Sequence, residues 1–154
     1  MNEAVVAGCI AVAGLNLIAG LLGLLCLYLG DTSGALPRSF WVMLRVGQGS
    51  ALALAIAVGS LAAAGHYSDE KLFYLYALLP LAIGFLAEQL RVASAQTVLD
   101  QRGLESSHAV ATLPEGDQHR LVGTILRREM TVMAISALVV VFLALRAAST
   151  AHGF

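Results

Sequence analysis

Residues 4–29 read AVVAGCIAVAGLNLIAGLLGLLCLYL, a run without any charged side chain and with a single strongly polar one, Asn16. About 20 apolar residues are enough to cross the hydrocarbon of a bilayer as an α-helix. The run is longer than the apolar core of a secretory signal, and Glu3 precedes it where a signal needs positive charge. The sequence therefore predicts a retained transmembrane helix.

The rest of the chain has the same character. Of its 154 residues, 58% are hydrophobic and only 12% are charged, whereas soluble domains carry about 25% charged residues. Three further apolar segments follow at residues 40–65, 72–92 and 129–147. We therefore predict a single-domain, all-α integral membrane protein built as a four-helix bundle.

The predicted helix boundaries depend on turn and capping residues. Pro37 interrupts the connection between the first two helices, and Ser39 is the predicted N-cap of the second. The third helix is expected to leave the membrane and continue to about residue 102, because its last turns are polar but still helix-compatible. The fourth is expected to start at about residue 113, with Thr112 as its cap. Helices three and four are thus predicted to extend into water on one side.

The distribution of basic residues predicts the orientation. Two of them, Lys71 and Arg146, fall towards the second loop and the C-terminus. The others fall towards the first and third loops: Arg38, Arg45, Arg91, Arg102, Arg120, Arg127 and Arg128. By the positive-inside rule this second group faces the cytoplasm, so both termini are predicted to lie outside and the two extensions inside. The predicted location is a cell membrane, specifically the bacterial inner membrane.

Several polar side chains occur at one depth on the predicted cytoplasmic side, and we call them the polar layer. Charged side chains in a membrane helix are costly and usually face protein, water or one another. Its members come from three helices: Arg45 and Gln48, Glu88 and Arg91, and Arg128 with Glu129. The first two pairs are each three residues apart, so each pair shares a helical face.

Two interpretations of the polar layer remain open. In the first, Arg45 pairs with Glu88 to fix the register of helices two and three, while Arg91 and Arg128 reach lipid phosphates. In the second, the excess of arginine forms a basic pocket for an anionic ligand or lipid head group. Two interpretations also remain open for Asn16: an interhelical hydrogen bond, or a role in a pore or ligand site.

A second pattern is a line of small residues along helix two, spaced four apart: Gly47, Ala51, Ala55, Gly59 and Ala63. Small side chains let helix backbones approach closely in a membrane. We call this line the small-residue ridge, and it predicts a tight helix contact, either within the chain or between protomers.

The remaining polar residues carry no recognisable catalytic, metal or nucleic-acid motif. The four histidines, His66, His108, His119 and His152, all lie outside the predicted spans, so neither membrane haem nor a metal site is expected. Acidic residues interrupt the arginines of helix four, and no aromatic platform accompanies them, which argues against nucleic-acid binding. No cofactor is predicted.

In size, four-helix plan and arginine-bearing cytoplasmic layer, the chain resembles the membrane-associated eicosanoid and glutathione metabolism family, whose members work as trimers. The resemblance implies glutathione transfer as one possible activity. That family's second helix starts with Glu-Arg and continues with Ala-His/Gln-x-Asn, whereas residues 39–48 here read SFWVMLRVGQ. Because the acidic residue and the Asn are missing, no catalytic residue is transferred from the family.

The sequence therefore favours a non-enzymatic accessory subunit or homo-oligomeric membrane component, in contact with membrane lipids and in a homo-oligomer or larger complex. One alternative is a membrane enzyme or lipid-binding protein that uses the polar layer for an anionic ligand. The other is an oligomeric channel or transporter.

Overall fold

The structure is a computed structural model that describes residues 2–101 and 114–151. These residues form four α-helices: α1 (Asn2–Leu29), α2 (Ala35–Ala63), α3 (Lys71–Gln101) and α4 (Glu115–Thr150). All four are long and apolar enough to cross a membrane. The prediction of an all-α, four-helix membrane protein is confirmed at this level, and the chain is a multi-pass membrane protein.

The helices are not packed equally around the bundle. Helix α1 has extensive contacts with both α2 and α4, and α4 has an equally extensive contact with α3. The contact between α2 and α3 is much smaller, and α2 barely meets α4. The bundle is therefore closed on three sides and has a thin seam between α2 and α3.

Glycines on α1 explain why α1 and α4 pack so closely. A Cβ atom added to Gly23 would lie 2.6 Å from the Cβ of Ala134 and 2.8 Å from Cε2 of Phe40. Phe40 and Met133 are fully buried beside this contact. Close backbone approach of this kind is how membrane helices gain dispersion contacts without a hydrophobic driving force.

Helix α2 begins at Ala35, so the predicted start at Ser39 is wrong by one turn. The carboxylate of Asp31 accepts hydrogen bonds from the backbone N–H groups of Ser33 (3.2 Å) and Gly34 (2.9 Å), which stabilises the turn before the helix. Pro37 fits in the first turn because a backbone N–H there has no intrahelical partner. Ser39 lies inside the helix, and its hydroxyl donates to the carbonyl of Ala35.

Helix α3 packs on α4, and the first turns of α4 lie beside the loop between α1 and α2. Val98 and Leu121 are both buried on these segments. Arg127 Nη2 donates to the carbonyl of Leu27 over 3.2 Å, which joins α4 to the end of α1. Arg102, Thr112 and the predicted start of helix four at residue 113 lie outside the described residues.

Candidate functional site

Glu88 is the centre of the polar layer. Arg45 Nη1 forms an ion pair with Glu88 Oε1 across the seam between α2 and α3, at 2.5 Å. Gln48 Nε2 donates to the same oxygen at 3.4 Å, and Gln48 Oε1 accepts a bond from Arg45 at 2.7 Å. The three-residue spacing of Arg45 and Gln48 on α2 therefore brings both side chains to one carboxylate on α3.

Arg91 extends this layer to α4. Its Nε lies 3.2 Å from Glu88 Oε2, and its Nη1 lies 4.0 Å from Glu129 Oε2. Its guanidinium group also stacks over the ring of Trp41, 5.6 Å from the ring centre. Two arginines and two carboxylates thus form one chain of contacts through three helices, and their formal charges cancel.

The members of the layer differ in exposure. The side chain of Arg45 is 52% exposed, whereas those of Glu88, Arg91 and Glu129 are 26%, 29% and 18% exposed. Arg128 stands apart from them: it is exposed, and it has no ion pair or hydrogen bond within the described part of the chain. The structure therefore joins four of the predicted site residues, together with Glu129, and leaves Arg128 on the surface.

Asn16 connects α1 to α2 near the middle of both helices. Its side chain is only 2% exposed. Its Nδ2 atom donates to the carbonyl of Val12 at 2.9 Å and to the carbonyl of Gly47 at 3.4 Å. Both acceptors are backbone oxygens, which identifies the atom facing them as the amide nitrogen. The carbonyl oxygen of Asn16 accepts no hydrogen bond from the described residues.

The small-residue ridge divides into an inner and an outer part. Gly47, Ala51 and Ala55 are buried within the protein, and a Cβ on Gly47 would lie 2.9 Å from Asn16 Oδ1. Gly59 and Ala63 are exposed, and a Cβ on Gly59 would meet no atom within 4 Å. Three of the five ridge residues are therefore buried inside the bundle, where Gly47 contacts Asn16 of α1, and the other two face the surroundings.

A cleft of about 240 Å³ occupies the seam between α2 and α3, and we call it the lateral cleft. Gln48 and Glu88 lie at its polar end, and Asn16 lies in its wall. The rest of the lining is mainly apolar and comes from α2, α3 and α4: Leu44, Ala51, Leu52, Pro80, Leu81, Gly84, Phe85, Ser136, Ala137 and Val140. The polar layer thus closes one end of a groove that is otherwise hydrophobic.

Two residues of this region, Trp41 and Ser136, are not predictable from the sequence, and the partner of a third, Glu129, is not either. Trp41 lies under Arg91 of another helix, and an aromatic ring at the start of helix two does not indicate which cation it meets. Ser136 lies within an apolar stretch of α4, and its place in the cleft wall follows only from the helix packing. Glu129 was recognised in the layer but not as the partner of Arg91, because that contact depends on how α4 packs against α3.

The described residues contain no group of three or more His, Cys, Asp or Glu side chains able to hold a metal ion. Cys9 and Cys26 are buried free thiols. Among the predicted histidine positions, His108 and His152 lie outside the described residues. The chain matches no protein-family model, no curated protein and no solved structure.

Proposed function

We propose that the protein is a non-enzymatic membrane component, either an accessory subunit or a homo-oligomer. The observation that carries this proposal is the mutual pairing of the charged side chains in the polar layer. Arg45, Glu88, Arg91 and Glu129 each have a partner of opposite charge. A layer built to bind an anion would keep an arginine free to face the ligand. The pairing favours a structural role over the basic-pocket interpretation.

The location of the layer supports the same role. Apolar packing between α2 and α3 is thin, since the lateral cleft separates the two helices along part of their length. The bonds of Arg45 and Gln48 to Glu88 cross this seam. A charge at the centre of a membrane helix costs roughly 2.5–3.5 kcal/mol on insertion scales, and less near the interface. Pairing offsets that cost and fixes the register of the two helices.

The surface best suited to contact another subunit lies on α1 and α2, on the half away from the polar layer. A shallow groove runs there between the two helices. Its lining includes Ala4, Gly8, Ala11, Ala53 and Ala57. Because such small side chains let a further helix approach closely, this groove supports assembly into an oligomer or a larger complex.

The proposed orientation places both termini outside and the polar layer on the cytoplasmic side of a cell membrane, the bacterial inner membrane. It is supported by the concentration of arginines near the first and third loops. A reporter that is active only in the cytoplasm, fused after residue 154, is expected to be inactive. Activity of that fusion would reverse the orientation.

The assembly proposal is tested by native mass measurement of the full chain purified in a mild detergent. The expected result is more than one copy, or this chain together with a second protein. Ala53→Leu and Ala57→Leu should reduce that assembly, because a larger side chain fills the groove. Ala82→Leu, at an exposed position on α3, is the matched control and should not. A wild-type chain that is always a single copy without a partner would refute the proposal.

A further inference from the structure

The lateral cleft has a definite structural origin. Pro80 and Gly84 lie one turn apart on α3, opposite the small side chain of Ala51 on α2. A Cβ on Gly84 would meet no atom within 4 Å. Two exposed side chains, Leu52 at 49% and Phe85 at 65%, belong to the lining and mark the side that opens to the membrane. The hollow is therefore reachable from the lipid phase.

A polar atom without a partner lies in this hollow. The amide nitrogen of Asn16 is engaged by the carbonyls of Val12 and Gly47. Its carbonyl oxygen accepts no hydrogen bond from any of the described residues, although the side chain is only 2% exposed. Asn16 therefore has the chemistry of a ligand contact in addition to its link between helices.

The hydroxyl of Ser136, the second polar group in the cleft wall, is also available as a hydrogen-bond acceptor. Ser136 Oγ donates its proton to the carbonyl of Met133 at 2.8 Å. What the hydroxyl offers to the cleft is therefore its lone pairs. Both Asn16 and Ser136 can accept a hydrogen bond from a ligand, so the complementary ligand group is a donor.

The charged side chains at the polar end of the cleft are paired with one another. Glu88 lines the cleft, but one of its oxygens already accepts from Arg45 and Gln48, and the other lies 3.2 Å from Arg91. Arg45 and Arg91 are in turn neutralised by carboxylates. Because Glu88 lies between two arginines and Glu129 faces Arg91, the charges at this end balance, and the ligand that fits there is neutral.

We propose that the lateral cleft binds a neutral membrane lipid through a hydroxyl group that donates to Asn16 Oδ1. Its hydrocarbon leaves between Leu52 and Phe85 into the bilayer. The volume of about 240 Å³ is larger than the roughly 150 Å³ that suffices to enclose benzene. It holds the hydroxyl-bearing end of a lipid rather than a whole lipid. This proposal goes beyond assembly and uses a different face of the protein, so either can fail alone.

The test compares two ligands of the same chain length, of which only one has a hydroxyl group that can donate a hydrogen bond. The full chain in detergent is titrated with radiolabelled 2-hexadecanol and with 2-hexadecanone, and bound ligand is measured after rapid gel filtration. The alcohol is expected to bind about fivefold more tightly, as one net hydrogen bond of about 1 kcal/mol gives. Palmitate should bind no better than the ketone. Equal binding of alcohol and ketone, or no retained alcohol at saturation, would overturn the proposal.

Variants locate the site. Gly84→Leu fills the cleft and should abolish binding of the alcohol. Gly59→Leu is the matched control, since a Cβ there also meets no atom within 4 Å but the residue lies outside the cleft. Asn16→Leu should lower alcohol binding to the level of the ketone, and Ser136→Ala should weaken it with less effect on folding. Undiminished binding by Gly84→Leu would place the ligand elsewhere and refute the assignment.

Competition identifies the kind of hydroxyl lipid. Displacement of labelled 2-hexadecanol by a diacylglycerol assigns the site to a glycerolipid. Displacement by an isoprenoid quinol, but not by the corresponding quinone, assigns it to a reduced redox lipid. Either result supports the proposal, whereas displacement by phosphatidic acid alone would contradict it, because that lipid carries a negative charge and the proposed ligand is neutral.

Discussion

Replacing Glu88 with Gln removes the negative charge at the point where three side chains meet. The variant keeps the shape of the side chain and one acceptor oxygen. It leaves Arg45 without a counter-ion, while Arg91 keeps only the weaker contact of 4.0 Å with Glu129. The formal charge of the paired layer changes from zero to +1. The substitution therefore tests the pairing rather than the packing.

The expected loss can be scaled from the contacts. A hydrogen bond to a charged group contributes about 1.5–3 kcal/mol. The half-exposed Arg45 side chain can replace part of the lost interaction by hydrogen bonds to water or lipid head groups. We therefore expect the variant to lose the free energy of about one such hydrogen bond in total. For a chain of this size, 1 kcal/mol corresponds to roughly 2–4 °C in Tm. Glu88→Gln should therefore lower the Tm by roughly 3–12 °C.

The assay is thermal unfolding in a mild detergent, followed by helical circular dichroism and by the emission of Trp41, the single tryptophan. Trp41 lies under the guanidinium of Arg91 and so reports on the layer directly. Arg128→Gln is the control, since that arginine is exposed and has no partner among the described residues, and it should change stability by less than about 0.5 kcal/mol. Equal melting temperatures for the two variants would show that the charge of Glu88 does not stabilise the protein.

Three further substitutions test the packing, each by the same unfolding measurement. Gly23→Ala places a methyl group 2.6 Å from Ala134 and should cost about 1–3 kcal/mol; a variant as stable as wild type would contradict the close approach of α1 and α4. Gly14→Ala meets no atom within 4 Å and should instead add about 0.5–1 kcal/mol, so a loss there would show an unrecognised contact. Arg146→Gln removes a cation 5.7 Å from the ring centre of Tyr76 and should cost about 0.5–1 kcal/mol, whereas no change would deny the interaction.

The sequence predicted the helices well because their signal is local. Long apolar runs must satisfy their backbone hydrogen bonds internally in a membrane, so each run predicts its own helix. The start of α2 was wrong because Asp31, not Ser39, stabilises the turn before the helix. That choice depends on the loop conformation, and Pro37 is compatible with both a loop and a first helical turn.

The polar layer was predictable in its composition and only partly in its connections. Spacing three apart placed Arg45 beside Gln48 and Glu88 beside Arg91 on their helices, and the structure brings these pairs together. The contact of Arg91 with Glu129 requires the packing of α3 on α4, which no local pattern encodes. Charge counting alone overestimated the basic character of the layer because it included Arg128, which lies on the surface.

The lateral cleft could not be predicted at all. A hollow forms where two helices fail to meet, so it depends on the separation of α2 and α3 rather than on any one residue. Pro80 and Gly84 were visible in the sequence, but their consequence appears only opposite Ala51. The sequence also does not show which atom of the Asn16 side chain is hydrogen-bonded. In the structure the amide nitrogen donates to two backbone carbonyls, which leaves the carbonyl oxygen available as an acceptor.

A double-mutant cycle on Arg45 and Glu88 measures whether the polar layer holds α2 and α3 together. Unfolding free energies are measured for Arg45→Gln, Glu88→Gln and the variant carrying both. The double variant is expected to lose less than the sum of the single losses, with a coupling of about 0.5–3 kcal/mol. Losses that add to within about 0.5 kcal/mol would show that the two side chains do not stabilise each other, and would contradict a structural role of the polar layer.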